Sequence, residues 1–138
     1  MGQARVVDEI AASADALWEL VRDFGGIQRW NPTLSSCELD KPGIGGVRTI
    51  TMGEVTVRER LEKLDEGAKT LSYSIVEAPL PVRDYLATIE VAEAGPSRSR
   101  IVWRSTFEPG GMPDEQLTQL FDGVYRQAID GLRAALVR

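Results

Sequence analysis

Glu59 is the residue whose chemistry stands out in this chain, because it places a carboxylate on the apolar face of a strand-like run. Along Val55-Thr56-Val57-Arg58-Glu59-Arg60-Leu61-Glu62-Lys63-Leu64 the strand period of two puts Val55, Val57, Glu59 and Leu61 on one side. Thr56, Arg58, Arg60 and Glu62 take the other. A carboxylate among buried aliphatic groups is costly unless it is paired, so it marks an internal polar site. Two readings of Glu59 stay open: a buried ion pair with Arg48 or Arg104 that sets strand register, or a group turned toward a ligand. Arg48 and Arg104 could equally hold a ligand carboxylate in bidentate fashion. Tyr73 and Tyr85 offer hydroxyls from an apolar wall, either to orient a ligand or to serve as ordinary core tyrosines. Phe121 and Tyr125 are large enough to reach the same space from a helix.

Composition narrows the chemistry further. The chain has no histidine, which removes histidine-dependent triads, His-based zinc sites and the usual neutral-pH proton shuttle. Cys37 is its only cysteine, so an intrachain disulfide and a thiolate metal cluster are excluded. No metal or cofactor is expected, and any acid-base work would fall to Glu59 first. The formal net charge of -5, with 16 basic residues scattered along the chain, argues against nucleic acid as a partner. With 138 residues, 43% of them apolar, the chain reads as one soluble domain spanning residues 1–138. It shows no signal-peptide pattern and no membrane-spanning run, so a cytoplasmic location is expected. A homodimer is compatible with the sequence but nothing in it requires one.

The elements that must position these residues follow from patterning. A strand over Ala4 to Ile10 precedes Ser13 as N-cap and a helix over Ala14 to Asp23, ended by Gly25-Gly26. A short helical turn over Ile27 to Trp30 stops at Asn31-Pro32. Strands are expected at Ser35 to Leu39, Gly46 to Met52, Val55 to Leu64, Thr70 to Glu77, Asp84 to Val91 and Arg100 to Phe107, separated by hairpin signals. Pro113 to Val137 forms a long amphipathic helix, with Leu117, Leu120, Phe121, Val124, Tyr125 and Ala128 on its broad apolar face. Gly131 shares that arc and leaves room for ligand or for close sheet contact. Gly43-Ile44-Gly45-Gly46 lacks the Lys-Ser/Thr ending of a phosphate loop and precedes a strand, so it is read as a turn. The result is an α+β fold, a seven-stranded curved antiparallel sheet wrapped around a long C-terminal helix, with two short helices after strand 1.

Several segments, in this order and spacing, resemble the helix-grip superfamily, which includes START lipid-transfer domains, the major birch-pollen allergen, polyketide cyclases and the plant abscisic acid receptors. They are Leu17-Trp18-Glu19-Leu20-Val21-Arg22-Asp23-Phe24, Arg29-Trp30-Asn31-Pro32, Gly46-Val47-Arg48, Glu59-Arg60-Leu61, Leu71-Ser72-Tyr73, Asp84-Tyr85, Val102-Trp103-Arg104 and Phe121 on the last helix. The resemblance to the receptors implies that Glu59, Tyr73, Tyr85 and Phe121 line a cavity. It places the receptors' anchoring lysine at Ser35 and their second cavity glutamate at Arg104, and it shortens their gate loop to Met52-Gly53-Glu54. A gated hormone receptor is therefore not expected. Simple alternation turns Arg104 outward and buries Trp103, whereas the resemblance implies the reverse. We expect Arg104 inward, since an arginine opposite Glu59 would satisfy a buried charge.

The function expected from these readings is binding, and transport where required, of a small hydrophobic molecule such as a lipid, polyketide or isoprenoid. Leu61, Ile75, Ala87, Ile89, Phe121 and Val124 would supply the wall. Glu59, Arg48, Tyr73, Tyr85 and Arg104 would orient the polar end. The alternative is a polyketide cyclase or dehydratase-type enzyme in the same cavity, with Glu59 as proton acceptor. A protein-binding module like the helix-grip domains of Hsp90 co-chaperones would instead show a filled core and an exposed apolar patch.

Overall fold

A computed structural model describes residues 1–137. Its strands are β1 (Gly2–Ile10), β2 (Ser36–Leu39), β3 (Val47–Met52), β4 (Val55–Asp65), β5 (Thr70–Glu77), β6 (Val82–Gly95) and β7 (Arg98–Pro109). They form one antiparallel sheet in the order β1-β7-β6-β5-β4-β3-β2. β2 to β7 form the meander expected from the hairpin signals, and β1 pairs with β7, so that β1 and β2 are the edges of an open sheet. Two helices complete the fold, α1 (Ala14–Arg22) and α2 (Asp114–Leu136), with a 3₁₀ segment at Phe24–Arg29. No helix among the described residues is long and apolar enough to cross a membrane.

Local chemistry explains the element ends. Ser13 caps α1, its hydroxyl accepting the Ala16 N–H at 3.1 Å, and Asp15 lies in the first turn. The helix stops at Arg22, and Gly25-Gly26 fall inside the 3₁₀ segment instead of terminating α1. Pro113 occupies the N-cap of α2, where its missing N–H costs nothing. Met52 pairs with Val55 across a two-residue turn in which Gly53 has φ +59, a conformation open to glycine.

Bulges curve the sheet around α2. Register shifts fall between Arg58 and Glu59 and between Leu61 and Lys63 on β4, and between Arg83 and Leu86 on β6. The second moves the inward parity of β4 from Leu61 to Leu64, so Lys63 stays exposed. The third contains Asp84 in the left-handed region at φ 51 and brings Tyr85 to face inward.

The face of α2 that carries Leu117, Phe121, Tyr125, Ala128, Ile129 and Leu132 is buried, and the helix packs on β1 and β7. α1 covers β6 and β7 and touches α2. Fully burying one large apolar side chain contributes roughly 1.5–3 kcal/mol, so each of these helix residues is a substantial part of the fold's stability. Leu120 and Val124, expected on the sheet-facing arc, are 40% and 49% exposed. They flank the buried residues of α2 and share a pocket with Val55 and Leu80. Gly131 makes room for neither ligand nor sheet: the carbonyl of Trp30 fills the space beside it.

One buried polar group carries a stability prediction. Ser99 is fully buried on β7, and its hydroxyl has no hydrogen-bond partner among the described residues. Ser99→Ala removes the stranded hydroxyl at almost constant shape and is expected to stabilise the protein by about 1 kcal/mol. Urea denaturation would show a higher midpoint at an unchanged slope, and a lower midpoint would contradict the assignment.

Candidate functional site

β3 and β4 pair directly, and the register sets Arg48 opposite Glu59. Both side chains point to the concave face, where Arg48 is 5% and Glu59 8% exposed. Arg48 Nε donates to Glu59 Oε1 at 2.8 Å, and Nη2 lies 2.8 Å from the same oxygen. Nη1 donates to the Phe24 carbonyl at 3.0 Å. The guanidinium sits 3.9 Å from the Phe24 ring centroid and 5.1 Å from that of Tyr73, close enough for cation–π attraction to both. Arg48 thus ties the 3₁₀ segment, β4 and β5 together. Glu59 Oε2 accepts no hydrogen bond among the described residues.

This pair lines a cavity of about 170 Å³ between α2 and the sheet. Tyr73 and Ile75 of β5, Tyr85 of β6 and Trp103 of β7 form one wall, and Phe121 and Tyr125 of α2 the other. Met52, Val55, Leu80, Leu120 and Val124 also line it. Val55, Leu120 and Val124 are each at least 40% exposed, so they mark its opening. That mouth is framed by the β3–β4 turn, the loop before β6 and one flank of α2.

The hydroxyls inside form two short chains. Tyr125 donates to Ser105 Oγ at 2.7 Å, which leaves the Tyr85 hydroxyl to donate to Tyr125. Trp103 Nε1 donates to the Tyr73 hydroxyl at 3.2 Å, and the Tyr73 O–H itself donates to nothing among the described residues. Trp103 stacks on Tyr125 with centroids 5.3 Å apart, and Phe121 packs on Tyr85 at 5.0 Å. Burial pushes the Tyr73 phenol well above its ordinary pKa, and the nearby Glu59 charge adds to the shift. Burial raises Tyr85 and Tyr125 as well. All three stay neutral at physiological pH and serve as hydrogen-bonding groups.

Of the residues singled out in the sequence, Glu59, Arg48, Tyr73, Tyr85, Phe121 and Tyr125 converge on the cavity. Arg104 does not, and the expectation that it faces inward is corrected. Ile101, Trp103, Ser105 and Phe107 alternate inward along β7, so Arg104 projects outward and pairs with Glu90 at 2.8 Å. It also lies three strands from Glu59 in the sheet order. Simple alternation is obeyed here, and Trp103 takes the cavity position. Ser35 is exposed, its hydroxyl bonded to the Thr51 carbonyl at 3.0 Å, while Leu34 beside it lines the cavity. Ile75 and Val124 contribute wall as expected, whereas Leu61, Ala87 and Ile89 pack into solid core away from the cavity. Met52 was legible from the alternation Arg48, Ile50, Met52. Ile27, Asn31 and Leu34 come from irregular backbone that no periodicity reports.

A long helix gripped by a seven-stranded sheet, with a lined cavity between them, defines a START-like member of the helix-grip superfamily. More narrowly, the chain belongs to the polyketide cyclase / dehydrase and lipid transport family, whose sequence profile matches residues 1–137. It is 25% identical to the abscisic acid receptor PYL2 of Arabidopsis thaliana over 94% of this chain and 75% of the receptor. Among solved structures, the protein XoxI from Bacillus cereus superposes with a TM-score of 0.91 at 32% identity, covering 99% of this chain and 96% of that one. The fold persists at 14% identity in a START superfamily protein from Mycobacterium smegmatis, with a TM-score of 0.83 over 99% of this chain and 97% of that one.

Proposed function

We propose that this protein binds a small hydrophobic ligand in the cavity beneath α2 and releases it through the mouth at Val55, Leu120 and Val124. The observation that carries the reading is the buried Arg48–Glu59 pair set in an otherwise apolar, aromatic-lined space that opens between apolar side chains. A polar pair kept at such a place orients a ligand's polar end while the wall excludes water. Membership of a lipid-transport and cyclase family supports the same use of the cavity.

Trp103 lines the cavity and is the natural reporter. Titration with a panel of lipids, isoprenoids and aromatic polyketides, the last graded down to single-ring phenols, is expected to change tryptophan emission saturably for at least one class. Phe121→Trp, which fills the cavity, should weaken that ligand at least tenfold, a loss of about 1.4 kcal/mol. Saturable binding unaffected by filling the cavity would move the site elsewhere.

A cyclase or dehydratase activity is the second reading, favoured by one feature: Glu59 Oε2 is an unengaged carboxylate oxygen in the same cavity as the Tyr73 hydroxyl. Oε2 would accept a proton during enolisation, and Tyr73 would stabilise the enolate oxygen. Product analysis with a poly-β-ketone surrogate separates the readings, since a pure carrier leaves the uncatalysed product distribution unchanged.

A further inference from the structure

Resting on the reading of this space as a ligand cavity, we infer that it selects uncharged molecules the size of one substituted aromatic ring. Such a ligand carries one hydrogen-bond donor for Glu59 Oε2 and one acceptor for the Tyr73 hydroxyl, and anions of the same shape are rejected.

Size comes first. The cavity measures about 170 Å³. An apolar cavity of about 150 Å³ binds benzene, whereas pockets for drug-sized ligands measure roughly 300–1,000 Å³. A two-chain lipid or a tetracyclic polyketide cannot be enclosed in it without large expansion. The ring-lined walls of Tyr73, Tyr85, Trp103, Phe121 and Tyr125 present faces and edges suited to another ring.

Charge comes second. Arg48 and Glu59 are the only ionised side chains among the lining residues, and each neutralises the other. Arg48 donates through Nε and Nη1, Nη2 adds an ion-pair contact to Glu59, and the rings of Phe24 and Tyr73 lie against its guanidinium. A ligand carboxylate would have to stay unpaired or displace Glu59 and leave that carboxylate unpaired, and both are costly in a buried site. No other cationic side chain is among the lining residues, and Arg104 faces away, so no second cation compensates.

Polar complementarity comes third. Tyr85 donates to Tyr125 and Tyr125 to Ser105, and Trp103 supplies Tyr73 with a donor. One acceptor oxygen on Glu59 and one donor hydrogen on Tyr73 stay open beside the remaining N–H groups of Arg48, and a ligand with one donor and one acceptor satisfies the first two.

Calorimetric titration with two molecules of nearly equal shape tests this: neutral 4-hydroxyacetophenone and anionic 4-hydroxybenzoate, at about pH 6.5, where the carboxylate is ionised. The ketone is expected to bind about tenfold tighter or more, a difference typical of one buried unpaired charge. Tyr73→Phe should weaken the ketone about five- to tenfold. Glu59→Gln, which leaves Arg48 uncompensated, should reverse the preference toward the acid. Palmitate and the flavanone naringenin serve as large probes. Equal binding of acid and ketone, or saturable binding by the large probes alone, overturns the inference and leaves the cavity reading standing. Silence from all four probes counts against both.

Discussion

Arg48→Met is expected to lower the stability of this protein by about 3–5 kcal/mol, because it strands the Glu59 carboxylate in a site only 8% exposed. The substitution also removes the hydrogen bond to the Phe24 carbonyl and so loosens the 3₁₀ segment from β3. Shape is nearly conserved, so most of the loss is electrostatic. The double variant Arg48→Met/Glu59→Leu should recover to within about 1 kcal/mol of the parent or exceed it, since apolar groups of similar volume commonly replace a buried pair without cost. Urea denaturation of the parent, both single variants and the double variant gives the coupling energy directly. If Arg48→Met alone stays within about 1 kcal/mol of the parent, the pair does not constrain the fold as argued. A stable double variant that no longer discriminates among ligands would show that the pair serves recognition more than stability.

Gly131→Ala is expected to destabilise by about 2–3 kcal/mol, the cost of overpacking a close contact. Helix propensity alone predicts the opposite, a gain of about 1 kcal/mol for replacing a mid-helix glycine. The sign is decided by the neighbour: a Cβ at this position would lie 2.2 Å from the Trp30 carbonyl oxygen. That atom is backbone and cannot swing away as a side chain could. Relief requires the Trp30–Asn31 segment to withdraw from α2, and Trp30 is itself packed edge-on against Trp103 at 6.4 Å. Tryptophan emission should therefore shift along with the unfolding midpoint. A stabilised Gly131→Ala variant would mean that the two segments do not approach this closely.

Much of the fold was legible because its signals are local. Ser13, the turn at Gly53 and the stripe on the last helix each act within a few residues. Strand alternation was legible for the same reason, and it placed Glu59 inward correctly. It also placed Trp103 inward, and the expectation for Arg104 failed when the resemblance was preferred over the pattern. The ends of β6 and β7 were read too short, since their outer residues gain strand structure from a neighbouring strand and not from their own alternation. Leu120 and Val124 carry the same local signal as their buried neighbours, but they stand at the open mouth of the cavity and stay partly exposed.

The sequence by itself determined that a carboxylate would stand on an apolar strand face in a histidine-free chain, beneath a long amphipathic helix. Covalent connectivity and side-chain period are enough for that. Only the tertiary structure decided that Arg48 is its partner, because cross-strand register and sheet order set which charges meet. It alone decided that Trp30, and no ligand, fills the space at Gly131. The size of the cavity, and the open hydrogen-bonding atoms of Glu59 and Tyr73 inside it, likewise come from packing among segments far apart in the chain. Such contacts depend on where whole elements come to rest, and no pattern along a single strand or helix encodes that.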